Sequence, residues 1–138
     1  MTGAVLLAAR TLAGLLAGLY LGFAVAVMPA LRHVDDATFV AVMNHINTAI
    51  MNPVFLVVFL GAPAAAAALL VGDRSPATIV AAVLAVAALV ITLAANVPLN
   101  DALADGGTRA AFQTPWVRWH LARTVAAAAS FVLLCLRT

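Results

Sequence analysis

The sequence predicts an all-α fold: a four-transmembrane-helix antiparallel bundle with a short interfacial helix between the first and second spans. Three observations carry that prediction. Of the 138 residues, 66% are hydrophobic and 9% charged, whereas a soluble domain is about 45–50% apolar and about 25% charged. Four apolar stretches approach the length of about 20 residues needed to cross a bilayer. The polar side chains that remain gather in two long connections rather than along the helices.

These numbers exclude a water-soluble fold, because a chain this short leaves much of its surface exposed. Disorder is excluded by the mean hydropathy of +1.14. Seven arginines and five aspartates, with no lysine or glutamate, give a net charge of +2. Spread so thinly, they form no basic patch for nucleic acid. The lone Cys135 permits no internal disulfide and no CxxC metal knuckle, and it reads as a buried structural thiol.

The length fits one integral membrane domain over residues 1–138, with spans near 5–28, 53–71, 77–97 and 118–136. The first span is charge-free from Thr11 to Met28 and meets Pro29. Ala24-Val25-Ala26 resembles a signal-peptidase site, but the residues before Arg10 are apolar rather than basic, so the segment reads as a retained helix. The second span opens at Asn52-Pro53, an N-cap followed by proline at the first helical position. It ends at Gly72-Asp73-Arg74. The third begins after Ser75-Pro76 and meets Asn96 and Pro98. The fourth must begin near Trp119 to be long enough, which places Arg123 inside it.

The segment after Pro29 reads as the interfacial helix, around Asp36–Met51. Asp35 and Asp36 suit a helix N-terminus. Phe39, Met43, Ile46 and Ile50 recur on one face, and His45, Thr48 and Asn52 line another. A helix with one apolar and one polar side fits a lid lying in the membrane interface. Gly14, Gly18 and Gly22 form a small-residue stripe that invites close approach of another helix, within the chain or from a second copy in a homo-oligomer.

The first and third connections of an up-and-down bundle lie on the same side of the membrane. All the histidines, the asparagines and both tryptophans fall in or beside them, so one end holds the chemistry. The distribution of arginines places both termini inside and the polar end outside, in a bacterial cytoplasmic membrane.

Three groups at that end bear on chemistry. Asn96 and Asn100 flank Pro98, which frees a carbonyl near Ala94, and two amides four residues apart share a face. They also read as partners for that backbone, with Asn100 as a cap ahead of Asp101. Trp116, Trp119, His120 and Arg123 overlap at i, i+3 and i+4 spacings. Interfacial anchoring accounts for Trp116 and Arg118. Arg123, roughly 6 Å deeper than Trp119 at about 1.5 Å per residue, is expected to face the interior and meet a partner or an anionic ligand. His33, His45 and His120 offer, as the alternative, a three-histidine site for copper, iron or zinc, although their spacing matches no tight metal signature.

The segments MPAL, FVAVMNHINTAIMNPVF, NVPLNDALA and WVRWHLARTVAA together resemble the anthrone oxygenase-like family of small four-helix membrane proteins. The resemblance covers nearly the whole chain and departs from the family's frequent asparagine-histidine pair at His120-Leu121. It implies oxidation of a small hydrophobic anthrone-like or phenolic substrate by O2 without an organic cofactor. The residues can be matched to that chemistry. His120 and His45 are candidate bases near neutral pH, and Arg123, Asn96 and Asn100 are candidate oxyanion donors. Asn47, Asn52, Asp101, Trp116, Arg118 and Trp119 are candidate substrate contacts. The expected partners are the lipid bilayer, the substrate and O2. A His-ligated metal-dependent oxidase and a non-catalytic binder or transporter of lipophilic ligands are the competing classes.

Overall fold

The computed structural model describes residues 2–137. Five helices build it: α1 (Gly3–Leu31), α2 (Asp36–Ala49), α3 (Pro53–Val71), α4 (Pro76–Ala104) and α5 (Arg109–Leu136). All but α2 are long and apolar enough to cross a membrane, and no strand occurs among the described residues. α2 to α5 each begin where the sequence offers a side-chain cap. The Asp35 carboxylate accepts from the Thr38 amide at 2.8 Å, and Asn52 Oδ1 accepts from the Phe55 amide at 3.0 Å. Ser75 and Thr108 do the same for α4 and α5. α4 ends in a Schellman-type bond from the Gly107 amide to the Ala102 carbonyl. Gly106 there has φ +91°, and a Cβ on Gly107 would stand 2.6 Å from that carbonyl. Both positions require glycine.

The second span matches the expected 53–71, the other three are longer than expected, and in two of them the reason is the same. Pro29 and Pro98 do not end their helices. Each is preceded by a five-residue π turn, Phe23–Val27 in α1 and Thr92–Asn96 in α4, then one residue, then the proline. The Met28 amide bonds to the Phe23 carbonyl, and the Val97 amide to the Thr92 carbonyl. The wider turn moves the ladder out of register before the ring that would clash with it. Asn100 consequently lies inside a continuous helix and caps nothing. In α5, Pro115 sits in the second turn, and the helix starts at Arg109 rather than near Trp119.

At the end bearing Arg10 and the short α3–α4 connection, alanines close the bundle. Ala9, Ala13, Ala66, Ala81 and Ala82 are buried there with Leu69 and Leu134. At the other end larger side chains fill the space, among them Met28, Phe39, Met43, Phe112 and Trp116. Arg109 fastens that end. It donates to the Leu31 and Val34 carbonyls at 2.9 and 2.7 Å, pairs with Asp36 at 3.2 Å, and lies over the Phe39 ring.

The outer faces are apolar. Leu15, Leu21, Val57, Val83, Val90, Val125 and Val132 are all exposed, a surface that aggregates in water and suits lipid. Cys135 is exposed on that outer surface as well, not buried in the core as expected. Of the glycine stripe, Gly14 packs against Phe131 of the same chain, while Gly18 and Gly22 face open space.

Candidate functional site

The polar end contains a cavity of about 450 Å³, walled by α1, α3, α4 and α5 and partly covered by α2. Its lining is mostly apolar, with Phe23, Phe55, Phe59 and Trp116 as the large surfaces. Arg123 lies in its wall, only 8% exposed.

The Arg123 guanidinium is held from three helices. Its Nε donates to His120 Nδ1 at 3.0 Å, with Nη2 2.9 Å from the same nitrogen, and Nη1 donates to Thr92 Oγ1 at 3.1 Å. The guanidinium carbon stands 4.5 Å from the centre of the Tyr20 ring and 5.3 Å from that of Trp116, close enough for cation–π attraction to both. Thr92 gives its own proton to the Ala88 carbonyl at 2.9 Å, so its lone pairs are free to accept from Arg123.

These bonds fix the state of His120. Arginine can only donate, so Nδ1 must accept. Nε2 then carries the hydrogen and donates it to the Tyr20 carbonyl at 2.8 Å. His120 is the neutral Nε2–H tautomer, with both nitrogens engaged. Its ring stacks on Trp116, centroids 4.8 Å apart and planes 8° apart.

Trp116 is held in turn by the two asparagines of α4. Asn100 Oδ1 accepts from the indole Nε1 at 2.9 Å, and Asn96 Nδ2 donates to the Trp116 carbonyl at 3.3 Å. The backbone reading of these amides is half right. Asn96 does serve a carbonyl, but that carbonyl belongs to α5. The π turn in α4 is what swings Asn96 and Asn100 toward α5 while Thr92, one turn earlier, reaches Arg123.

The expected site residues therefore divide. Asn47, Asn100, Asp101, Trp116, His120 and Arg123 line the cavity, and Asn96 is buried behind Trp116. His33, His45, Arg118 and Trp119 are exposed and do not line it. Asn52 is spent on capping, with Nδ2 donating to the Ala49 carbonyl at 3.0 Å and Oδ1 accepting from Phe55. His45 fails to join because the His45–Thr48–Asn52 face of α2 is the outer one; only Thr48, at its edge, touches the cavity. The three histidines do not converge, and no cluster of three or more His, Cys, Asp or Glu side chains suited to a metal exists among the described residues.

Tyr20, Thr92 and Asn44 belong to the site and were not anticipated. Tyr20 is the sole tyrosine, and Thr92 sits one turn before Asn96 at the end of an apolar run. Those were the available signals.

What fold and cavity define is a small polytopic membrane protein with an apolar chamber and one desolvated cation in its wall. The family model for anthrone oxygenase matches residues 39–133, and the chain belongs to that family. The match spans α2 through most of α5 and so includes Asn96, Asn100, Trp116, His120 and Arg123. No curated protein and no solved structure matches it.

Proposed function

We propose that this protein uses O2 to oxidise a flat, lipid-soluble phenolic ketone of the anthrone kind inside the cavity, with Arg123 holding the oxyanion. One observation carries the reading. Arg123 is buried in the apolar bundle with no carboxylate paired to it: the ion pairs among the described residues are Arg109–Asp36 and Arg137–Asp73. A desolvated charge lacking a counter-ion is costly. A ligand that develops negative charge beside it repays that cost, and membership of the anthrone oxygenase family supports a ligand of that kind.

The chemistry balances without an organic cofactor. An anthrone loses a benzylic proton, and the electron pair delocalises onto its oxygen as an aromatic phenolate. Arg123 and the apolar walls favour that anion. The carbanion end reduces O2 by one electron, and recombination forms a C–O bond to a peroxide. Loss of the second benzylic proton breaks the O–O bond and expels hydroxide. In sum, CH2 and O2 become C=O and H2O.

His120 is not the base in this reading, because its Nδ1 lone pair is committed to Arg123; it positions the cation instead. Asp101 is the one carboxylate among the described cavity residues, and it takes the carbon proton. Asn96 and Asn100 position Trp116, which stacks on His120 and presents its ring to the flat substrate.

The test is anthraquinone formation by protein purified into lipid nanodiscs and supplied with 1,8-dihydroxyanthrone under air. The reading expects a rate above spontaneous autoxidation, with one O2 consumed per quinone. It also expects Arg123→Met to lose more than about 10²-fold of that rate, as removal of an oxyanion donor does. A rate equal to the protein-free control overturns it.

A further inference from the structure

The cavity has a second polar locus that the oxyanion chemistry does not use. Asn44 and Asn47 lie three residues apart on α2, so their side chains neighbour each other on one helix face. Both line the cavity. Asn44 Oδ1 and Asn47 Nδ2 are buried, and neither has a hydrogen-bond partner. Buried side-chain polar atoms are ordinarily paired, and each exception calls for an explanation. Here an acceptor and a donor stand side by side, unpaired, over an apolar chamber. A carboxamide offers either edge by rotation, so the pair can meet a hydroxyl or a carbonyl alike.

Neither amide belongs to the network around Arg123, which draws on α1, α4 and α5. The two loci sit on different walls, the cation in the bundle and the amides in the helix that partly covers it. We propose that Asn44 and Asn47 are specificity-determining residues that read a second, neutral oxygen function on the substrate, remote from the oxygen that becomes anionic at Arg123. The preferred substrate is thus a polyhydroxylated planar ketone with oxygen at both ends. A single-headed phenol leaves both amides unpaired. This assignment rests on the reading of Arg123 as the oxyanion holder.

The discrimination can be measured without turnover, using two quinones that cannot be oxidised further at the ring carbon. These are 1-hydroxyanthraquinone and 1,6-dihydroxyanthraquinone. Both present the two quinone carbonyls and a hydroxyl beside one of them; 1,6-dihydroxyanthraquinone alone adds a hydroxyl at the far end of the ring system. Binding to protein in nanodiscs is followed by quenching of Trp116 in a Trp119→Phe background, since Trp119 lies outside the cavity. The dihydroxy probe is expected to bind at least about tenfold tighter, the scale set by leaving one buried amide unsatisfied. Asn44→Leu and Asn47→Leu should each shrink that ratio, and the double variant should bring it to about one. Arg123→Met should weaken both probes alike and keep the ratio.

A wild-type ratio near one, with Arg123-dependent binding of both probes, overturns the role of Asn44 and Asn47 and leaves the reading of Arg123 standing. The wild-type ratio needs no variant to fold. A preserved ratio in the double variant overturns the proposal too, by placing the recognition elsewhere. Binding that ignores Arg123→Met overturns the oxyanion reading and this proposal with it.

Discussion

Arg10 and Arg123, at opposite ends of the bundle, are held in opposite ways. At the closed end, Arg10 donates to the Leu134 carbonyl at 2.9 Å and to the Arg137 carbonyl, and Arg137 pairs with Asp73 at 2.7 Å. Each cation there meets carbonyls or a carboxylate, and alanines bring the helices together around them. At the open end, Arg123 meets only neutral partners: an imidazole, a hydroxyl and two aromatic faces. Aromatic side chains hold the helices apart, leaving about 450 Å³ between them. The same four helices thus bury arginine for two purposes. One end uses it to tie chain termini together, and the other keeps it available.

The sharpest way to break this comparison is to delete each cation while keeping its stem. Arg123→Met should lower quinone formation by more than about 10²-fold, whereas Arg10→Met should leave turnover unchanged and lower only the thermal midpoint. Equal losses of turnover would erase the functional distinction between the ends.

Packing gives the next largest contrast. Ala81 is fully buried at the closed end, so Ala81→Leu must push helices apart, at about 1–3 kcal/mol of stability. Val97 lines the cavity, so Val97→Leu adds a methylene to open space and should cost less than half as much. Thermal unfolding of both variants in the same detergent checks the difference. Similar midpoints would mean that the two ends are equally tight.

Asn100→Leu is expected to act more gently. It strands the Trp116 indole N–H, a loss of about 1–3 kcal/mol if that group stays dry. The ring should then tilt off His120, and Trp116 emission should shift to the red in the Trp119→Phe background. Emission at an unchanged wavelength would show that Asn100 does not position the stack.

The smallest effect belongs to Asp73. The Thr78 hydroxyl, the Ser75 amide and hydroxyl and the Arg137 guanidinium hold its carboxyl below its ordinary value of 3.8. A depressed folded value stabilises the fold above pH 3.8, and that contribution disappears as the pH falls through the folded value. The thermal midpoint of Asp73→Asn should lie slightly below that of the parent chain at pH 7, with the gap closing below pH 3.8. A gap that persists in stronger acid would assign the effect to something other than the carboxylate.

The parts of this architecture that were legible in advance are those decided locally. Apolar run lengths gave the four spans, and Asp35 and Asn52 marked the starts of α2 and α3 because capping involves only three or four neighbours. Arg123 was expected to face inward because a charge at that depth has few places to go. What could not be read was the relative rotation of helices. The two π turns reset the faces of α1 and α4, so the pairing of Asn96 and Asn100 with Trp116, and of Thr92 with Arg123, was invisible. Periodicity in α2 separated a polar face from an apolar one but did not say which flank the cavity would take. That ambiguity favoured His45 and Asn52 over Asn44.

The π turns also decide where the chain length of the site can change. A π turn amounts to an α-helix carrying one surplus residue, so deleting one residue between Thr92 and Asn96 restores ordinary helical winding and leaves a helix that still spans. The five residues of the wide turn complete about the same rotation as four α-helical ones, so Thr92 would stay beside Arg123 and Asn100 beside Trp116. A residue deleted after the turn, between Val97 and Leu99, meets no such slack. Everything beyond it turns by about 100° relative to everything before it, and Asn100 swings away from Trp116 while Thr92 and Asn96 hold their places.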